Sequence, residues 1–194
     1  MTEAQSLQSV YIVGADDRIE VVDDGWREFL LANSGRRRPH DVLGRSLWAY
    51  VHGPVVVQAY RALHHVVRAG RVVRFPYRCD APRLRREFEM TMRPLANGRI
   101  EYSTVTLREV PHVAIRLLDA DAPRGLPTLV MCSWCKRVRL GDWVEIEDAV
   151  IRAPLLDEAL EPQLVHGMCP ACADHLQSQL GVGGGAADFM GGSP

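Results

Sequence analysis

At 194 residues and 47 % hydrophobic content, the chain falls among folded globular proteins and can hold one large domain or two small ones. Its 23 Lys and Arg against 24 Asp and Glu leave a formal net charge of −1, which removes any global electrostatic argument for nucleic acid while leaving local patches open. Apolar runs such as Val10–Val13 and Val55–Val57 are far too short to cross a bilayer, and the first six residues lack the basic-then-apolar run of a signal peptide. A protein with no membrane span, in the cytoplasm, is the expectation.

The chain opens with a short apolar run, Val10–Val13, a turn at Gly14–Asp17 and a second run, Ile19–Val22, which together predict a hairpin. Asp23 or Asp24 can cap a helix on which Trp26, Phe29, Leu30 and Asn33 share one face. A basic loop, Arg36–Pro39, leads to short helical turns at Val42–Trp48. Pro54 then starts a longer helix that Gly70 can stop, with Val56, Tyr60, Leu63 and Val67 as its buried stripe.

Three strands follow. Val73, Phe75, Tyr77 and Cys79 alternate with polar residues, as do Phe88, Met90 and Met92; Asn97–Gly98 makes a turn, and Ile100–Leu107 supplies the third strand. Composition changes near residue 110. Residues 111–127 read as a linker with a short strand at Val113–Leu118, and the Gly-rich stretch 181–194 reads as a disordered tail.

Between these breaks stand two CxxC pairs, Cys132–Cys135 and Cys169–Cys172. Each pair presents two sulfurs from one tight turn, so together they can complete the tetrahedral thiolate shell that zinc takes in closed, structural sites. One structural Zn²⁺ per chain is the expected cofactor. Five cysteines leave one unpaired in any disulfide framework; a thioredoxin-like pair would leave the second CxxC idle; covalent haem needs a His after the pair, whereas Lys136 and Ala173 follow here. Pro170 suits the first turn of a helix running to Gly181, where the positive end of the dipole favours thiolate at Cys169 and Cys172. Between the inner cysteines lie 33 residues, more than a simple ribbon needs. Asp142 and Glu145 read as a capping box before a short helix carrying Ile146, Ala149 and Val150. Knuckle, insert and ligand-bearing helix resemble a treble-clef finger. A segment of about 50 residues depends on such a metal for its folding energy.

The element order of the first part, with Gly44–Arg45 leading into the middle helices and Asn97–Gly98 between the last strands, resembles a PAS domain over residues 8 to 110. Cys132–Arg137 and His166–Cys172 look like the cysteine-rich tail attached to some bacterial PAS signalling proteins. The resemblance implies an α+β fold with a five-stranded antiparallel sheet covered on one face by helices, a sensory or partner-binding role without catalysis, and dimerisation through segments flanking the core. The organisation is then a PAS-like sensor domain at 1–110, a linker at 111–127, a zinc module at 128–180 and the tail at 181–194.

Further candidate sites are few. Flavin-adduct chemistry in this family needs a cysteine on a helix, and Cys79, outside the two pairs, reads as strand. Haem-binding relatives take an axial histidine from the long helix, where His64 is the candidate and a satisfied core histidine the competing reading. His166 could replace a thiolate at the metal. Arg78, Arg83, Arg85 and Arg86 crowd one turn and could bind an anion, an acidic partner or nucleic acid, although Asp80, Glu87 and Glu89 are interspersed and favour solvated strand ends. No Ser-His-Asp order, phosphate-binding Gly loop or H-E-x-x-H pattern occurs. The sequence thus points to a non-catalytic bacterial sensor or adaptor protein with an unnamed protein partner. A redox sensor acting through the zinc thiolates is the second reading, followed by a nucleic-acid-binding regulator and a haem sensor.

Overall fold

The computed structural model describes residues 8–33, 42–152 and 161–181. The basic loop expected at Arg36–Pro39 and the tail beyond Gly181 lie outside the described residues.

Strands β1 (Gln8–Val13) and β2 (Ile19–Val22) form the opening hairpin. Asp23, rather than Asp24, caps helix α1 (Asp24–Asn33): one carboxylate oxygen accepts from the Trp26 N–H at 2.7 Å and the other from the Val10 N–H at 2.9 Å. A 3-10 turn at Leu47–Ala49 leads to α2 (Pro54–Arg68), which starts on its proline as expected. Gly53, just before it, has φ 91°, and a Cβ there would collide with the His166 carbonyl, so glycine is what lets α2 begin against a distant part of the chain.

Strands β3 (Val73–Arg78), β4 (Leu84–Pro94) and β5 (Ile100–Pro111) make an antiparallel meander, and β1 pairs with β5 to give a sheet in the order β2-β1-β5-β4-β3. Alternation sends Phe75, Met90, Met92, Ile100 and Tyr102 to one face, where they pack against Val56, Ala59, Leu63 and Val67 of α2.

The segment read as a linker differs from that expectation. Arg116–Leu118 is a 3-10 turn rather than a strand, and Ile115 and Leu117 are buried. The Ile115 N–H donates to the Pro82 carbonyl at 2.7 Å, pinning the segment to the β3–β4 turn, and β6 (Arg124–Cys132) begins three residues before the linker was expected to end. The connection is therefore packed structure.

A second sheet follows, built from β6, β7 (Val138–Leu140), β8 (Asp142–Val144) and β9 (Glu161–Gly167) in the order β8-β7-β6-β9, with β9 parallel to β6. Asp142 is not a helix cap. It pairs with Leu140 across a hairpin whose tip, Gly141, has φ 78°, and α3 (Ile146–Arg152) starts only after Glu145, whose carbonyl accepts the Ala149 N–H. Helix α4 (Pro170–Leu180) closes the chain on Gly181 in the left-handed conformation.

Two cores result. Ile115, Leu117, Leu129, Met131, Val138, Ile146 and Ala149 form one under α3. The other continues from the first sheet and α2 into Cys132, Trp134, Met168, Cys169, Ala173, Leu176 and Leu180. Met131 and Cys132 are neighbours in β6 and belong to different cores because successive strand residues face opposite ways. The cysteine-bearing part and the first sheet thus share one hydrophobic interior.

Candidate metal centre

β6 delivers the first pair and the start of α4 the second. At the end of β6 the chain turns back through Lys136, at φ 63°, and the turn is closed by Lys136 N–H to Cys132 O at 3.1 Å and Cys132 N–H to Arg137 O at 2.8 Å. β9 runs beside β6 in the same direction, and Ser133 N–H to Gly167 O at 2.9 Å registers the two chain ends. Cys169 then sits at the N-cap of α4, Pro170 opens the helix and Cys172 lies on its first turn. This local geometry brings all four sulfurs within 4.8 Å of one another.

The arrangement fits a divalent soft cation. With Zn–S bonds of about 2.3 Å, sulfurs at the corners of a tetrahedron lie about 3.8 Å apart. Cys135 Sγ and Cys169 Sγ are 3.6 Å apart, and the Cys169 N–H donates to Cys132 Sγ at 3.4 Å, the backbone donor a thiolate needs in a dry site. Cys132 and Cys169 are buried; Cys135 and Cys172 are half-buried. Hydrogen bonds with Cys135, then Cys169 and Cys172, drive the Cys132 thiol far down. Cys169 is raised by Cys132 but brought down to about 7 by Cys135 and Cys172, whereas Cys135 and Cys172 are pushed up, chiefly by Cys132. Four sulfurs this close cannot all ionise until a cation shares their charge.

Trp134, inside the first pair, is the structural surprise. Its ring is 5 % exposed, stacks on Tyr60 of α2 with centroids 5.5 Å apart at 27°, and leans on Phe75 of β3 at 6.1 Å. Tyr60, in the buried stripe of α2, is half-buried, and the Cys132–Cys135 turn covers it. An aromatic residue between the two cysteines of a CxxC pair is the signal in the sequence that could have shown this contact.

The arginine set divides, and it does not form an open anion site. Arg78 is buried: its guanidinium contacts Asp80 at 2.5 Å, Glu145 at 2.8 Å and Glu147 at 2.7 Å. Burial alone would lower its pKa, but hydrogen bonds and charge from Asp80 and Glu147 raise it. Arg85 bonds Glu87 at 2.8 Å and approaches Glu147 at 3.5 Å; Arg86 is buried, bonds the Cys79 carbonyl and lies over the Phe29 ring. Arg83 alone of the four is exposed. Arg137 joins the network through Glu145 at 2.8 Å, and the charge of Cys135 and Cys169 acts on it as well.

The histidines lie elsewhere. His166 is on β9, within 3.4 Å of the Ser133 hydroxyl and beside His52, and is not in the four-sulfur cluster. Burial, Lys136 and His52 all lower its pKa. His64 is fully buried, with Nδ1 at 2.9 Å from Asp17 and Nε2 bonded to the Tyr102 hydroxyl, so both ring nitrogens are already engaged. Asp17 also holds Arg68 at 2.7 Å and the Trp48 indole at 2.9 Å. This polar hub locks the first turn to α2. Cys79, just beyond β3, is half-buried and pairs its N–H with the Arg86 carbonyl.

Residues 5–113 match the family model of the PAS fold, and the chain belongs to that family. Its five-stranded antiparallel sheet with helices is that fold, and a signal-sensing module is what the family suggests. No curated protein matches the chain. The matched stretch ends before β6, so the cysteine cluster is an addition to the PAS domain. No helix among the described residues is long and apolar enough to cross a membrane.

Proposed function

We propose that the protein is a non-catalytic signalling adaptor in which a PAS sensor and a structural zinc module form one responsive unit. The observation that carries this reading is the burial of Trp134, held in the zinc-binding knuckle, within the PAS core. A change of packing under α2 or β3 is then felt at the metal turn, and the order of metal binding is felt in the sheet. On this reading the knuckle, the β7–β8 hairpin and the ligand-bearing α4 form a treble-clef-like unit whose outer surface meets a protein partner. The four thiolates would hold Zn²⁺, which supplies folding energy rather than chemistry.

The input side has a candidate receptor. Beneath α1, an aromatic cavity of about 190 Å³ is lined by Tyr11, Trp26, Phe29, Tyr77 and Phe88, with the Tyr77 and Thr104 hydroxyls 3.3 Å apart at its wall. A small, largely apolar ligand with one hydrogen-bonding group suits it. Native mass spectrometry of protein purified without chelator tests the reading, reporting metal, retained ligand and oligomeric state together. One zinc per chain is expected; a metal-free folded chain would overturn it.

A further inference from the structure

The four ligands differ in access. Cys132 and Cys169 are 0 % and 1 % exposed and Cys135 and Cys172 are half-buried; Cys135, Cys172 and the edge of Cys169 line an open pocket of about 280 Å³ at the seam between β3 and α4, and Cys132 does not. Phe75, Pro76, Trp134 and Leu176 form its apolar walls. A small oxidant entering there reaches three of the four cysteines, of which Cys135 and Cys172 are the more exposed, and Cys132 lies behind them. Cys135 also has a buried sulfur, Cys169, at 3.6 Å. The two belong to different pairs, one on the knuckle and one on the helix.

We propose that Cys135 is an oxidation site for hydroperoxides and that Cys169 resolves it, giving a disulfide that crosses between the two CxxC pairs. The inference rests on the zinc reading and adds a specific chemistry to it. The Cys135 sulfur attacks one peroxide oxygen; the O–O bond breaks, a sulfenic acid forms, and the departing hydroxide is protonated to water. The Cys169 sulfur then attacks the Cys135 sulfur; the S–S bond forms, the S–O bond breaks, and a second water leaves. Two thiolates, one hydrogen peroxide and two protons become one disulfide and two waters. The closing motion is about 1.5 Å, from the present separation to the length of a disulfide bond, and lies within side-chain rotation. Cys132 is the less available partner, because it does not line the pocket and its sulfur accepts the Cys169 N–H.

The cross-pair bond has a different outcome from bonds within each pair. Two remaining thiolates cannot complete a tetrahedral shell, so metal retention is lost in either case. Yet a Cys135–Cys169 bond still ties the knuckle to α4, and Trp134 stays under it. Oxidation would therefore discharge the metal while the seam remains closed.

The test uses the full chain carrying Cys79→Ser, which removes the one cysteine outside the cluster. Zinc is measured first by native mass spectrometry, and its absence overturns the metal reading. Hydrogen peroxide is then added at low molar excess while zinc release is followed with a chromophoric chelator, tryptophan emission is recorded, and linked peptides are mapped without reduction. Expected are loss of the one zinc per chain, a Cys135–Cys169 linked peptide, and an unshifted emission maximum. Links confined to Cys132–Cys135 or Cys169–Cys172, oxidation without any link, or retention of zinc would each overturn the inference while leaving the zinc reading standing.

Discussion

The backbone N–H of Arg78, the last residue of β3, donates to the carbonyl of Trp134 at 2.6 Å, joining the edge of the PAS sheet to the middle of the first CxxC turn. The same arginine extends its side chain to Glu145 and Glu147 at the start of α3. One residue thus fastens the sheet to the second module through both main chain and side chain. An unpaired edge strand is a liability, and here the knuckle covers one end of it.

Truncating Trp134 to alanine removes a buried ring from between Tyr60 and Phe75. A loss of about 3–5 kcal/mol is expected for a large-to-small core change of this kind. Urea unfolding should show it, and Trp134→Phe should recover much of the loss. An equal loss in both variants would mean that the ring packing is not what holds the seam.

Arg78→Met should destabilise the chain by about 3–5 kcal/mol, because Asp80, whose side chain is fully buried, would lose its ion-pair partner, while Glu145 and Glu147 would keep only Arg137 and Arg85. Arg78→Lys should recover little, since one ammonium cannot span carboxylates that the planar guanidinium meets on two sides. The readout is again denaturant unfolding, and a neutral effect of Arg78→Met would show the cluster to be solvated in solution.

Acid should weaken the fold in two stages. For His64, burial outweighs the attraction of Asp17 and lowers the folded pKa below its ordinary 6.5. The unfolded chain then binds a proton that the folded one refuses, so stability falls as pH drops through about 6.5 toward the folded value. For Asp17 and Glu147, burial works to raise the pKa but is outweighed: by Arg68, Trp48 and His64 at Asp17, and by its own backbone N–H with Arg78 and Arg85 at Glu147. Both end below the usual carboxylate range. Their stabilisation is complete above about pH 4.5 and is lost as pH falls through their folded values. Denaturation midpoints from pH 8 to pH 3 should show both slopes, and His64→Gln should flatten the upper one to the part that His166, whose pKa is also lowered, contributes.

With zinc at the cysteine cluster, as proposed, chelation should affect more than the cysteine module. A structural zinc contributes on the order of 10 kcal/mol, comparable with the whole stability of a domain. Because Trp134, Cys169 and Leu176 share a core with Phe75 and Leu63, the holo chain should melt in one calorimetric transition, and chelated protein should lose amide protection in β3 and α2 as well as in β6 to α4. Protection in β3 that survives chelation would separate the two modules.

The sequence made the local pieces legible. Alternation at Phe88, Met90 and Met92, the proline opening α2, and the spacing of the four cysteines all depend on neighbours a few residues away, and each appears in the structure where its pattern lies. What escaped was set by distant partners. Asp142 has the chemistry of a cap, but pairing with Leu140 round Gly141 takes it into a hairpin. Arg78 has the chemistry of an anion site, but Glu145 and Glu147 arrive from nearly seventy residues away to occupy it. Ile115 and Leu117 lie in a proline-bearing stretch with no period, and only the closure of the second sheet gives them a place to be buried.

Because β6 and β9 run side by side in one direction, both cysteine pairs emerge from the same end of the second sheet. The chain between them is a closed excursion that leaves at Lys136 and returns at Glu161. The β7–β8 tip lies outside the ladder that registers the two pairs, so residues added there leave the pairing of β6 with β9 unchanged. A single residue inserted within β9 would instead slip its pairing with β6 and turn Cys169 away from the cluster. The short parallel ladder thus sets the spacing between the two cysteine pairs, whatever the length of the β7–β8 tip.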